Sequence, residues 1–160
     1  MGRGILVPFD GSDNAVAALQ TAVTLAKALA ENIILLNVQP SFQTLHTKMF
    51  FNRQVIRGYQ EQLFAEAVAG GKRLLDEAGV RYMVKMRVGD EQEQICLEAA
   101  DADQDEQVCA GCGVRWIVMG ARGLRTAGKA LGRVSYGVVK AAPCPVMIVP
   151  CKGMAPGAET

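Results

Sequence analysis

The chain has 160 residues, half of them apolar and about a fifth charged, and its formal net charge is +1. That is the length of one domain with material for a single substantial core, and a charge too balanced for an all-over basic nucleic-acid coat. No run of about 18 apolar residues occurs, nor a basic segment leading into a long apolar one near the start, so neither membrane insertion nor export is expected. Five cysteines, an odd number, suit free thiols in a reducing cytoplasm.

In chain order, Gly4 to Phe9 is an apolar run too short for a helix and closed by the turn Asp10-Gly11-Ser12; it predicts a buried strand. Ser12 is placed to cap a helix reaching about Ala30, with Val16, Leu19, Ala22, Val23, Ala26 and Leu29 on one side. Ile33 to Val38 predicts a second buried strand, and Pro40 to about Asn52 an irregular crossing segment. Helical spacing returns from about Arg53 to Ala78, where Gly79 ends it. Tyr82 to Val88 alternates more than the first two strands and predicts an edge strand, ended by Gly89-Asp90. A helix from Glu91 to about Val108, a strand over Trp116 to Met119, a helix opening at Gly132 and a last strand over Val146 to Val149 complete the pattern. Strands and helices alternating in one domain predict a doubly wound α/β fold, with a parallel sheet and helices on both faces.

Charge is unevenly placed along this pattern. The first 106 residues carry 10 basic and 15 acidic side chains, whereas seven Lys and Arg and no acid fall between Glu106 and Glu159. Within that basic stretch Gly120 and Gly123 follow a strand, Gly132 precedes a helix, and Arg122, Arg125, Lys129 and Arg133 lie in or beside the loop. Glycine lets a backbone turn sharply and approach an anion, and a helix amino terminus presents unpaired amides and a positive dipole end. In open parallel sheets ligands bind beyond the carboxyl ends of the strands, where the winding reverses. If strands one and four are neighbours there, the turn at Pro8 to Gly11 and the loop at Gly120 to Gly123 line one crevice. Asp10 would then serve a sugar hydroxyl or a divalent metal, or else an Asx-turn beside the Ser12 cap.

Three blocks, ILVPFDGS at 5 to 12 with IILLNV at 33 to 38, VMGARG at 118 to 123, and GRVSYGVVKAAPCPVMIVP at 132 to 150, resemble the universal stress protein family over nearly the whole chain. The resemblance implies one domain over residues 1–152 and a disordered tail over 153–160. The implied sheet has five strands in the order 3-2-1-4-5, of the adenine nucleotide alpha hydrolase-like type, paired into a homodimer through the last strand. In the family's nucleotide-binding branch, Pro8, Phe9 and Asp10 would surround base and ribose, and the Val38 backbone would meet the adenine. Gly120, Gly123, Gly132, Arg133, Val134 and Ser135 would surround ribose and phosphates, with Met119 and Arg122 completing the set. The implied ligand is ATP with Mg2+, and the implied role is stress-linked regulation through an unknown protein partner.

The chain departs from the family's ATP-binding pattern in one loop. That pattern has Gly-x-x-Gly, nine residues, then Gly followed by Ser or Thr; here eight residues separate Gly123 from Gly132, and Arg133 stands in the hydroxyl position. Arg133 supplies a cationic phosphate donor instead; alternatively the degenerate loop belongs to a nucleotide-free interaction module of the same fold. No general base beyond Asp10 and no arginine finger is evident, so at most slow ATP hydrolysis is expected. Cys109 and Cys112 have chelating or redox spacing, but no second pair accompanies them and His46 is the one histidine. They read as part of a long connection, without a resident metal.

Overall fold

Each buried strand in this chain is a run of apolar residues bounded by a cap or a turn. The computed structural model describes residues 4–42, 49–101, 113–122 and 131–150. In chain order its elements are β1 (Gly4–Pro8), α1 (Asp13–Leu29), β2 (Asn32–Gln39), α2 (Arg53–Ala78), β3 (Tyr82–Val88), α3 (Glu91–Asp101), β4 (Val114–Gly120), α4 (Arg133–Ala141) and β5 (Val146–Val149). The strands form one parallel sheet in the order β3-β2-β1-β4-β5. The winding therefore reverses between β1 and β4, in the order that the family resemblance implies.

The sheet separates two apolar layers. Ile5, Val7, Ile33, Leu35 and Val118 pack with the Ala15, Ala18, Leu19, Ala22, Val23 and Ala26 stripe of α1 and with Val68 and Leu75 of α2. The alternate residues, Leu6, Ile34, Leu36, Ile117 and Met119, pack with Ile95 and Ala99 of α3 and Val138 of α4. Each large aliphatic side chain fully withdrawn from water contributes about 1.5–3 kcal/mol, so the central strands carry most of the fold's stability. Leu29, expected on the inner stripe of α1, is 41% exposed, because the helix ends there and Ala30 turns into the left-handed region at φ 54°.

The edges differ from the centre. Every β5 residue is half-buried, with Met147 and Val149 on one layer and Val146 and Ile148 on the other. On the opposite edge, β3 is fastened to α3 by charge. The Glu98 carboxylate, nearly inaccessible to solvent, takes Lys85 Nζ at 2.8 Å and Arg87 Nε at 2.6 Å, and Arg87 Nη2 reaches Asp101 Oδ2 at 2.8 Å. At the amino end of the sheet, buried Glu31 pairs with Arg115.

The helix expected over Glu91 to about Val108 is described as far as Asp101, and the rest of that expectation lies outside the described residues. β4 is longer than expected, beginning at Val114 and including Gly120. Gly123, Arg125, Lys129, His46, Cys109, Cys112 and the tail lie outside the described residues.

Candidate functional site

The carboxyl end of β1 is shaped by backbone hydrogen bonds. Phe9 donates its N–H to Leu36 O at 2.7 Å, and its carbonyl accepts from Asn37 Nδ2 at 2.8 Å. Gln39 Nε2 in turn donates to Asn37 Oδ1 at 2.5 Å, and both amides are buried. This chain of amides ties the end of β2 to the turn after β1. Phe9 itself is 3% exposed, its ring lying against Gly71 of α2, where an added Cβ would come within 3.0 Å of it. What Phe9 brings to the crevice is therefore backbone, whereas the sequence reading has it offer a flat apolar wall. Pro8 is buried as the last residue of β1.

Asp10 and Ser12 then start α1. Asp10 Oδ1 accepts the Ser12 N–H at 3.0 Å, an Asx-turn, while Gly11 takes φ 81° and Ser12 Oγ caps the Ala15 N–H at 3.1 Å. The turn role considered for Asp10 is the one this oxygen performs. Val38 lies two residues past the last position at which β2 pairs with β1, half-buried and packed on the α3 and α4 side.

Across the reversal, Met119 is buried in the second layer and Gly120 is the last residue of β4. The sequence reading assigns Gly120 a sharp turn; its φ is not positive, and it remains paired with Val149. The need for glycine is steric instead. A Cβ there would sit 2.9 Å from Asn14 O and 3.0 Å from Asn14 Cβ, so the missing side chain lets the first turn of α1 close onto β4.

The two ends of the basic loop are pinned together. Ala121 donates its N–H to Val149 O at 3.0 Å, and Gly132 donates to Ala121 O at 2.8 Å. Ser135 Oγ lies 3.0 Å from Gly120 O and 3.1 Å from Ala121 O, and the residue is buried. Its one hydroxyl proton is shared between these carbonyls, so Ser135 holds the loop's ends and faces away from solvent. Gly132 is the N-cap of α4 and gives it no side-chain cap. The first-turn amides of Arg133, Val134 and Ser135 thus start a helix whose first turn contains no acidic residue. Arg133 is exposed, while Arg122 and Val134 are half-buried.

The structure thus brings Pro8, Phe9, Asp10, Met119, Gly120, Arg122, Gly132, Arg133, Val134 and Ser135 to the carboxyl ends of the adjacent strands β1 and β4. Asn37, Gln39, Asn14 and Gly71 shape the site without having been singled out from sequence. The first two had a legible signal, two polar residues at i and i+2 in an otherwise apolar strand. Among the described residues no group of three His, Cys, Asp or Glu side chains could hold a metal ion.

Comparison with known proteins places the chain. A model of the universal stress protein family matches residues 1–150. The Thermus aquaticus protein named universal stress protein in QAH/OAS sulfhydrylase 3'region is 30% identical over 152 residues, covering 93% of this chain and 99% of that one. Universal stress protein UspA from Lactobacillus plantarum has the same fold at TM-score 0.73 and 23% identity, over 92% of this chain and 97% of that one. So does an Arabidopsis thaliana family protein solved with AMP bound, at TM-score 0.65 and 20% identity, over 94% and 93% of the two chains. This chain belongs to the universal stress protein family.

Proposed function

We propose that the chain is a cytoplasmic regulatory protein of the stress response that binds an adenine nucleotide, ATP with Mg2+, at the carboxyl ends of β1 and β4. The observation that carries this reading is the uncapped amino terminus of α4, tied by the Gly132 N–H to Ala121 at the mouth of β4. It presents first-turn backbone amides at the carboxyl end of β4, with the exposed Arg133 in the same turn, the donor set that phosphate oxygens require. The backbone of Val38, past the last residue of β2 that pairs with β1, would meet the base, with Asp10 offering a carboxylate near the ribose and Phe9 fixing the turn between them. Mg2+ would arrive with the nucleotide, since the described residues form no metal cluster of their own. Support comes also from relatives of the same fold, one solved with AMP and another in complex with cAMP. We read binding as the signal, with a homodimer formed along the β5 edge, Val146–Val149, and a further protein partner reading the bound state.

A nucleotide-free module is the second reading, favoured by one observation. Gly120 and Ser135 each have a structural reason to be present that needs no ligand. Denaturing fresh protein, identifying released nucleotide by chromatography and titrating the emptied protein with Mg-ATP by calorimetry separates the two. Our reading expects released adenylate or a dissociation constant below about 100 μM, near −5.5 kcal/mol. No nucleotide and no heat up to millimolar ATP would leave the module.

A further inference from the structure

The exit of β2 departs from the hydrogen-bond pattern that the rest of the strand keeps. In a parallel sheet the N–H and C=O of one residue point to the same side of the strand, and those of the next residue to the other side. Ile33 and Gln39 serve the β3 side: Ile33 donates to Arg81 O at 3.0 Å, and Gln39 O accepts from the Gly89 N–H at 3.0 Å. Leu36 serves the β1 side, accepting the Phe9 N–H at 2.7 Å. Val38, two residues on, points the same way as Leu36, and the next bond of a regular ladder would run from its N–H to Phe9 O. That bond is not made. Pairing of β1 with β2 stops at Pro8 and Leu36, and the Phe9 carbonyl accepts from Asn37 Nδ2 at 2.8 Å instead.

A side chain has taken the place of a backbone donor. Asn37 and Gln39 continue the face of β2 on which Ile33 and Leu35 enter the apolar core, yet they are only 4% and 6% exposed. Buried amides are tolerated where their bonds are made. Gln39 Nε2 donates to Asn37 Oδ1 at 2.5 Å, which fixes the sense of the Asn37 amide: turned over, it would set Oδ1 against the Phe9 carbonyl oxygen and one NH2 group against another. Beyond the strand, buried Gln60 of α2 donates to Pro40 O at 3.0 Å. Amide side chains thus hold the backbone on both sides of Val38.

We propose that Asn37 is a positioning residue of the candidate nucleotide site: by occupying the Phe9 carbonyl it leaves the Val38 N–H and C=O open at the mouth of β1. A donor and an acceptor side by side suit the edge of a nucleobase, which carries both; phosphate oxygens offer no such pair. The inference rests on the nucleotide reading and deepens it. Asn37 acts through Val38 and governs what the base adds to binding, not what the phosphates add.

Hydrogen exchange of the emptied full chain, followed amide by amide by NMR, tests this before any ligand is added. The Val38 amide is expected to exchange at least about tenfold faster than that of Leu36, and to slow with Mg-ATP but not with magnesium tripolyphosphate, which has no base. Replacing both amides, Asn37→Leu with Gln39→Leu, leaves neither one orphaned by the other and frees the Phe9 carbonyl for the Val38 N–H. In that variant Val38 should exchange as slowly as Leu36, and calorimetry should show Mg-ATP affinity down about tenfold with tripolyphosphate affinity unchanged. A Val38 amide as slow as that of Leu36 in the wild type overturns the proposal, whether or not the variant folds. So does a folded variant that binds Mg-ATP as the wild type does, or that loses tripolyphosphate equally. If the variant does not fold, slowing of wild-type Val38 by Mg-ATP alone supports the proposal, and any other pattern overturns it. Each of these results leaves the nucleotide reading standing as long as wild-type protein binds Mg-ATP; if it does not, that reading fails and the proposal fails with it.

Discussion

Gly120 shows how a residue can be singled out for a reason that the packing replaces. Glycine beside a strand end suggests a turn, yet the position is extended, and its missing Cβ is filled by backbone and Cβ atoms of Asn14 at 2.9–3.0 Å. Backbone cannot swing aside as a side chain can. Gly120→Ala is accordingly expected to cost about 1–3 kcal/mol, read as a lower urea midpoint at unchanged slope. A midpoint equal to wild type would mean that α1 shifts freely on β4. Gly137 is the contrast, since an added Cβ there would meet the side chain of Gln92, whose flexible end can move. Ser135 carries a similar lesson. Its place near the loop was legible, but its commitment to two carbonyls depends on the fold bringing residues 120 and 121 beneath the first turn of α4.

At the scale of elements, strands and caps were the most legible part. Ser12 caps α1, Gly79 closes α2 in the left-handed region at φ 66°, and β3 and β5 span the predicted residues. Local chemistry decides such features, so one stretch of sequence suffices. The ionic fastening of β3 was half legible. Lys85 and Arg87, two apart on a strand, must share a face, but nothing local reveals that Glu98, eleven residues beyond Arg87, meets them both. Removing that carboxylate leaves two cations with less than a quarter of their side-chain surface in water. Glu98→Ala should therefore cost about 2–4 kcal/mol and speed amide exchange in β3 ahead of the central strands. Uniform exchange and unchanged stability would show that the apolar contacts of α3 suffice without the ion pairs.

For the whole molecule, alternating elements and right-handed crossovers determine a doubly wound sheet, and the observed order sets β1 beside β4. That adjacency unites two stretches more than 100 residues apart into one candidate site, which is why its outline was legible before its geometry was. The packed role of the Phe9 ring and the amide chain through Asn37 and Gln39 were not, because both require knowing which atoms of α2 and β2 lie within contact. The central claim is that this mouth holds an adenylate. Amide chemical shifts followed by NMR during titration of the emptied protein with Mg-ATP test it most directly. The account predicts saturable shifts centred on residues 9–12, 120–122 and 132–135; no shifts at millimolar ATP, or shifts centred elsewhere, would contradict it.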